Sequence, residues 1–399
     1  MEGEETVDGI LVHYGEIALK GKNRSFFEEK LVDNLRSSLE GLSFEKVKRS
    51  HGRIFVELSG VPASDIPNYR ERMDRVFGIA NYSFVRICSR DIQSMKRTAR
   101  EMVEVEEFES FKIEARRADK GFHLNSVEIN EKVGAEVQNR LDERGAPKEV
   151  DLENPDLTLF IELTNKKVFL YKEKFDGPGG MPVSTAGKVV GLISAGIDSP
   201  VAAWQIMKRG AEVIFVHFHS FPRTDRASQG NVRKVVEVFS RWQGSSKLYL
   251  VNIRAIQRRI IIDVPKRLRI IFYRRIMLKA SEKIAEREEA KGLVTGDSLA
   301  QVSSQTLENL RATNETVSPS LPVYRPNIGM DKREIESRAR EIGTYEISSR
   351  SSRDCCVYMR PEHPETKASL EEIREAEESL QTDALTSEAL ADSEVEQFG

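Results

Sequence analysis

The chain has 399 residues, 39% of them hydrophobic, enough for one to three globular domains; no run approaches the roughly 20 apolar residues of a membrane span, and the acidic N-terminus has no signal-peptide pattern, so a cytoplasmic address is expected. Three cysteines (Cys88, Cys355 and Cys356) are too few for a disulfide framework and, like the six histidines, stand at no metal-ligand spacing, which argues against a structural metal site. The net charge of −3 is unevenly spread: positions 365–399 hold eleven acidic and two basic residues, leaving the rest of the chain at +6, compatible with RNA binding without demanding it.

The first segment reads strand, helix, strand. Residues 9–13 are a short apolar run, and Phe26, Phe27, Leu31, Leu35 and Leu39 recur at helical spacing across 23–39. Residues 53–58 alternate as a strand. Between the first strand and the helix, Gly15, Gly21, Lys20, Lys22 and Arg24 suit phosphate contact, and equally a solvated turn. Phe26 and Phe27 are assigned to the core. The second segment, 60–165, mixes helices and strands: 110–117 is a strand ending in Arg116 and Arg117, 130–144 a polar-faced helix, and 157–163 with 167–170 a hairpin. No nucleophile stands beside a base here, so both segments read as a binding platform.

The Gly/Pro-rich stretch 175–182 is the clearest domain boundary. Beyond it, strands at 189–193, 213–218, 248–251, 293–295 and 321–324 alternate with helices, among them a long basic one over 270–287. That alternation predicts a doubly wound, mostly parallel sheet, which binds ligands at the carboxyl ends of its strands. From about Glu371 the chain is rich in Glu, Ser and Ala and is expected to be a solvated helix or a disordered tail.

The strand at 189–193 runs into Ser194-Ala-Gly-Ile-Asp-Ser-Pro200 and then a helix. Gly196 allows a tight turn, Pro200 suits a first helical turn, and the loop amides with the helix N-terminus form an anion cradle. Ser194 and Ser199 add hydroxyl donors. A carboxylate at Asp198 repels phosphate unless Mg²⁺ sits between them. The same residues also fit an ordinary turn in which Asp198 or Ser199 caps the helix. No Walker loop or dinucleotide glycine motif is present.

The loop resembles the PP-loop of ATP pyrophosphatases, with Ala195 where that family has glycine. More narrowly, 198–203, 216–220, 293–299, 302–309, 329–332 and 342–348 occur in the order seen in the tRNA 4-thiouridine synthases, the ThiI family of tRNA sulfurtransferases. Tyr14-Gly-Glu-Ile, 20–24 and the 177–182 linker look like the same family.

This resemblance implies an α/β chain in which ferredoxin-like (1–59) and THUMP (60–166) α+β domains precede a PP-loop domain. A hairpin end and linker (167–182) lead to that doubly wound, mostly parallel domain of the adenine nucleotide α-hydrolase-like type (183–366), and an acidic tail (367–399) follows. It implies ATP-dependent adenylation of uridine 8 in tRNA at O4, then displacement of AMP by a cysteine persulfide. An acceptor on the route to thiamine thiazole, or a catalytically inactive RNA-binding scaffold, are the competing readings.

Carried over by motif, the ATP contacts are Leu192, Ile193, Ser194, Ala195, Gly196, Asp198, Ser199, His217, Phe218, Arg274, Gly296 and Gln305. Arg274, on spacing alone, fits a solvated helix face or a row of RNA phosphate contacts equally well. Cys355 is the persulfide carrier and Cys356 a resolving thiol, with Arg350, Arg353 and Arg360 nearby in sequence to favour thiolate. Lys20, Lys22, Arg24, Arg116 and Arg117 are the RNA-facing cations. Ala300 stands where the family commonly has glycine. No rhodanese segment is recognised, so a cysteine desulfurase or other persulfide donor is the expected partner. Members of the family are often dimers; no isolated interface signal appears in this sequence.

Overall fold

The computed structural model describes residues 6–50, 52–104, 106–221, 226–349, 361, 363–378 and 380–399. The chain divides into two units, Met1–Gly180 and Met181–Gly399.

The first unit begins with β1 (Thr6–Tyr14), α1 (Arg24–Ser38), β2 (Lys46–Ser50), β3 (Arg53–Pro62), α2 (Ile66–Met73) and β4 (Ile79–Cys88). It continues with α3 (Ile92–Val103), β5 (Ser110–Arg117), α4 (Ser126–Glu143), β6 (Glu149–Val150), β7 (Leu157–Leu163), β8 (Val168–Tyr171) and β9 (Phe175–Asp176). The helices form where apolar residues repeat on one side: α4 buries Ile129, Val133, Val137 and Leu141, and a capping box between Asn125 and Glu128 starts it. The strands make one sheet in the order β2-β3-β1-β4-β8-β7-β5-β6, with β9 beside β4.

Two expectations are corrected here. A domain boundary at 59/60 falls inside β3, because the ferredoxin-like unit is completed by α2 and by β4, which pairs with β1 over residues 79–85. Only residues 86–88 of the same strand pair with β8. Gly60 marks a local turn signal, not a change of core. Phe26, assigned to the core, is 53% exposed, because the buried face of α1 is Leu31, Val32 and Leu35.

The second unit comprises β10 (Lys188–Leu192), α5 (Asp198–Lys208), β11 (Glu212–His219), α6 (Arg226–Gln243), β12 (Ser246–Asn252), α7 (Arg254–Asp263), α8 (Arg269–Glu288) and β13 (Leu293–Val294). Then come α9 (Leu307–Asn314), β14 (Val323–Tyr324), α10 (Lys332–Ile342), α11 (Tyr345–Ser348), α12 (Leu370–Glu378), α13 (Thr382–Ala391) and β15 (Glu394–Phe398). Its sheet runs β14-β13-β10-β11-β12-β15, parallel except for β15. The strand order therefore reverses between β10 and β13, and a doubly wound sheet opens a crevice at that point.

The acidic tail is largely helical, as one of its two expected forms had it, and many of its side chains stay exposed, but one face of it is docked rather than free. Ile373, Leu380 and Leu390 of the α12–α13 region are buried in the core cluster that includes Ile271, Phe272 and Ile276 of α8, and β15 adds antiparallel to β12. Its carboxylates meet the basic helices: Lys279 pairs with Asp383 at 3.1 Å and Arg233 with Glu396 at 2.7 Å, and Arg275 pairs with Glu377. A count of charge along the chain misses this, since the partners lie on distant elements.

Candidate nucleotide and sulfur-transfer site

Strand β10 carries residues 193–197 to the carboxyl edge of the sheet, where α5 begins. The Ser199 hydroxyl accepts from the Ser194 amide at 2.9 Å and lies 3.1 Å from the Ser194 hydroxyl, which accepts from the Gly196 amide at 3.2 Å. These bonds fold the loop back on the first turn of α5. Ala195 is not among the residues with left-handed backbone, so its methyl costs no strain. Gly196 is not left-handed either, and an added Cβ would meet only the Ser194 hydroxyl, at 3.4 Å. Its lack of a side chain is thus not required by the turn; it leaves the mouth of the loop open. The Asn327 amide donates to the Asp198 carbonyl at 2.8 Å and fixes the start of α5.

Gly296, just beyond β13, lies against that same turn. A Cβ there would sit 2.6 Å from the Ser199 amide nitrogen, so only glycine allows the two strand ends to approach. Between them opens a cavity lined by Leu192, Ile193, Ser194, Asp198 and Ser199 from the β10–α5 side. His217 and Phe218 of β11, Arg274 of α8, Gly296 and Gln305 line it too. His217 and Phe218 are buried, and His217 Nδ1 is 2.9 Å from the Ile193 carbonyl, which fixes the imidazole at the strand end.

The floor of the cavity is a buried charge cluster. Asp297, 3% exposed, accepts from the Thr295 hydroxyl at 2.8 Å, Arg325 at 3.1 Å and the Gln305 amide at 3.1 Å, and is paired with Arg274. Burial pushes the Asp297 carboxyl up, but Arg274, Thr295, Arg325 and Gln305 outweigh it and hold it below the usual carboxylate range. Burial lowers the Arg325 pKa although Asp297 opposes this. Asp198 behaves oppositely: burial raises its carboxyl, against Gln301 and Lys332, and Oδ1 is buried with no hydrogen-bond donor. Asp297, Thr295 and Arg325 escaped the motif reading. Asp297 follows Gly296 directly and could have been found in the Thr-Gly-Asp signal; nothing local to Arg325 announced it.

Ala195 and Gly196 are not among the lining residues: Ala195 is buried and Gly196 exposed. Lys20 and Lys22 are exposed on the first unit, and Lys20 Nζ stands 5.1 Å from the ring centre of Phe27. Arg24 is engaged by Glu28 at 2.8 Å and by Tyr14. Arg116 is exposed beside Glu114, at 2.8 Å, whereas Arg117 donates to the Phe122 and Leu124 carbonyls at 3.2 and 2.7 Å. Cys355 and Cys356, with Arg350, Arg353 and Arg360, lie outside the described residues. Cys88 is half-buried, and burial pushes its thiol up to about 12, the wrong direction for a nucleophile. Among the described residues no group of three or more His, Cys, Asp and Glu is placed to hold a metal ion.

Family comparison decides the class. The profile described as "Thiamine biosynthesis protein (ThiI)" matches residues 184–382, that of the "ThiI ferredoxin-like domain" matches 9–83, and that of the THUMP domain 89–173. A "Probable tRNA sulfurtransferase" of Caldanaerobacter subterraneus subsp. tengcongensis is 43% identical over 373 residues, 94% of this chain and 95% of that one. The chain belongs to the ThiI family. A second ThiI relative, the "Probable tRNA sulfurtransferase" of Thermus thermophilus, is 40% identical over 96% of this chain and 92% of its own. The crystal structure of a 4-thiouridine synthetase–RNA complex with bound ATP matches at a TM-score of 0.89 and 35% identity, covering 98% of this chain and all (100%) of that one. PH1313 from Pyrococcus horikoshii matches at 0.65 and 28% identity, covering 84% and 99%.

Proposed function

We propose that this ThiI-family chain is an ATP-dependent tRNA sulfurtransferase that converts uridine 8 of tRNA to 4-thiouridine. The observation that carries the reading is the cavity at the β10/β13 reversal, where an open anion-cradling loop, a buried histidine–phenylalanine strand end and paired arginines converge. In the first step O4 of the uracil attacks the α-phosphorus of ATP as the N3–H proton passes to solvent; the bond to the β-phosphate oxygen breaks and pyrophosphate leaves. The Ser194 and Gly196 amides are taken by the loop's own hydroxyls, so the N-terminus of α5, with the Ser194 and Ser199 hydroxyls, holds the phosphates. Arg274 and Arg325, oriented by Asp297, face the negative charge that builds up. His217, Phe218 and Leu192 enclose the adenosine, and Gln305 and Gly296 shape its other wall.

Mg²⁺ fits this donor set: the orphaned, buried Asp198 Oδ1 is an oxygen suited to a hard cation. Bound with ATP, the ion would neutralise phosphate charge; Asp198 would hold it.

In the second step the terminal sulfur of a Cys355 persulfide attacks C4, the C4–O bond breaks and AMP leaves. A thiolate, Cys356 or an external thiol, then attacks Cys355 Sγ. The S–S pair passes to the C4 sulfur, 4-thiouridine is released and a disulfide remains for an external thiol to reduce. A bond between the adjacent Cys355 and Cys356 is strained, which favours rapid reduction. A cysteine desulfurase or comparable persulfide donor supplies the sulfur. The loaded Cys355 also suits delivery toward thiazole synthesis, in keeping with the name of the family. The exposed Lys20, Lys22 and Arg116, with Phe26 and Phe27, suit an RNA platform, and the left-handed backbone that would have made Ala195 a lesion is absent. Among the described residues no helix is long and apolar enough to cross a membrane; a tRNA substrate puts the enzyme in the cytoplasm, where we expect a homodimer.

The test is reconstitution with ATP, tRNA, cysteine and a cysteine desulfurase. Wild-type protein releases pyrophosphate and forms 4-thiouridine, read by mass spectrometry of digested tRNA. Cys355→Ser keeps pyrophosphate release and loses the thionucleoside; thiolation that survives the substitution rejects Cys355 as the carrier.

A further inference from the structure

We infer that Asn309 is a positioning residue for sulfur transfer: it fastens the chain that follows the cysteine pair to the turn that carries Gln305 into the nucleotide cavity. The inference rests on the functional reading above and gives a role to Asn309, which closes the 302–309 motif without one.

Asn309 is the third residue of α9, in its first turn, and is 0% exposed. Its amide nitrogen donates to the Ser303 carbonyl at 2.7 Å and to the Glu365 carbonyl at 2.8 Å, while its amide oxygen accepts from the Ala368 N–H at 3.2 Å. A primary amide has two N–H donors and one acceptor oxygen, so one side chain satisfies three backbone groups, one buried and two partly buried, on two separate segments. Alanine would leave all three unpaired, and aspartate would set a carboxylate against two carbonyl oxygens.

Neighbouring bonds reinforce the tie. The Thr306 hydroxyl donates to the Thr366 carbonyl at 2.7 Å. The Glu365 carboxylate accepts from the Thr366 and Lys367 amides at 3.0 and 2.9 Å and from Arg267 at 3.1 Å. The turn at the other end of the tie is part of the cavity wall: Arg274 donates to the Ser304 carbonyl at 3.3 Å, and Gln305 donates to Asp297. The upstream flank of the cysteine pair reaches the same site by another route, since the Ser348 hydroxyl donates to the Gly196 carbonyl at 3.4 Å. The upstream described flank therefore ends on Gly196 of the anion loop and the downstream one beside the turn that carries Gln305, and Asn309 is the buried side chain that holds the downstream one. Pyrophosphate release needs only the cavity; sulfur transfer needs the thiol held there too. Loss of the tie separates the two steps.

The experiment compares full-length Asn309→Ala and Glu365→Ala with wild type for tRNA-dependent pyrophosphate release, Cys355 persulfide by mass spectrometry, and single-turnover 4-thiouridine formation. Glu365→Ala loosens the flank, at its own Thr366 and Lys367 amides and at Arg267, without touching the Gln305 turn, and carries the test should Asn309→Ala fail to fold. Expected are pyrophosphate release within about threefold of wild type, equal persulfide loading, and 4-thiouridine formation lower by about 10- to 100-fold, the scale of an ångström-level misplacement. Thr306→Val shows a smaller version of the split, and Thr306→Ser, which keeps the hydroxyl, restores the wild-type ratio. If the two steps fall together, or neither changes, Asn309 has no positioning role. Wild-type protein that releases no pyrophosphate overturns the functional reading, and this inference with it.

Discussion

Among the described residues each unit buries one carboxylate beside basic side chains, and the two clusters do different things. In the first unit Glu162 on β7 pairs with Arg53 of β3 and with His13 of β1 at 3.4 Å. In the second, Asp297 holds Arg274 and Arg325. Burial raises the Glu162 carboxyl, yet His13 and Arg53 outweigh it and keep it low, as Arg274 and its neighbours do for Asp297. The electrostatic ingredients are nearly the same. Glu162 is enclosed between paired strands, where its charge staples β1, β3 and β7. Asp297 sits where strand order reverses, so its arginines border open space. A buried ion pair is a structural fact in both places; a cavity at the strand ends makes one of them a site.

The sharpest way to break this comparison is to neutralise each carboxylate. Asp297→Asn and Glu162→Gln should each cost about 3 kcal/mol of stability, because each leaves buried cations uncompensated. Only Asp297→Asn should also lower kcat/KM for ATP, by about 100-fold, through misplaced Arg274, Arg325 and Gln305. Chemical denaturation and pyrophosphate-release kinetics on both variants check this. Equal ATP kinetics in the two variants would falsify the distinction.

A smaller effect is expected from pH. Burial first, then His217 and Arg233, push His219 down to about 4. Its neutral form is the folded one, so between roughly pH 6.5, its ordinary value, and 4 the unfolded chain binds more protons and stability falls with falling pH. Melting wild type and His219→Gln at pH 7 and 5 should show a shallower decline in the variant; parallel declines assign the loss to other groups.

The smallest effect is at Ala300, which has φ of +60°. Ala300→Gly relieves a left-handed penalty of about 1 kcal/mol and adds unfolded-chain freedom worth about half of that, for a net gain of about 0.5 kcal/mol. Thermal melting at matched pH tests it, and a lower midpoint contradicts the strain.

Much of the second unit was legible in the sequence because its signals are local. An apolar run leading into Ser-x-Gly-x-Asp-Ser-Pro specifies strand, loop and helix start within a dozen residues, and the alternation that follows implies a parallel sheet. Leu192, Ser194, Asp198, Ser199, His217, Phe218 and Gly296 all sit at strand ends or the first turn of α5, so strand-end reasoning reaches them. Arg325 was not legible, since its value lies in meeting Asp297 across 28 positions of sequence. Neither was Asn309, whose partners belong to segments on both sides of the cysteine pair. The docking of the tail was not legible for the same reason: Glu377 meets Arg275, and Ile373 meets the α8 core, only in the fold.

By itself, then, the sequence determined the order of elements, the loop that can grip an anion, and a family resemblance that the comparisons bear out. Periodicity, turn chemistry and short motifs act over a few residues, and those ranges can be read along the chain. The tertiary structure alone decided which charges face open space, which are sealed between strands or neutralised by the tail, and which side chain ties the cysteine segment's downstream flank to the cavity. Burial and pairing depend on distances between residues far apart in sequence, and only a folded chain has those distances.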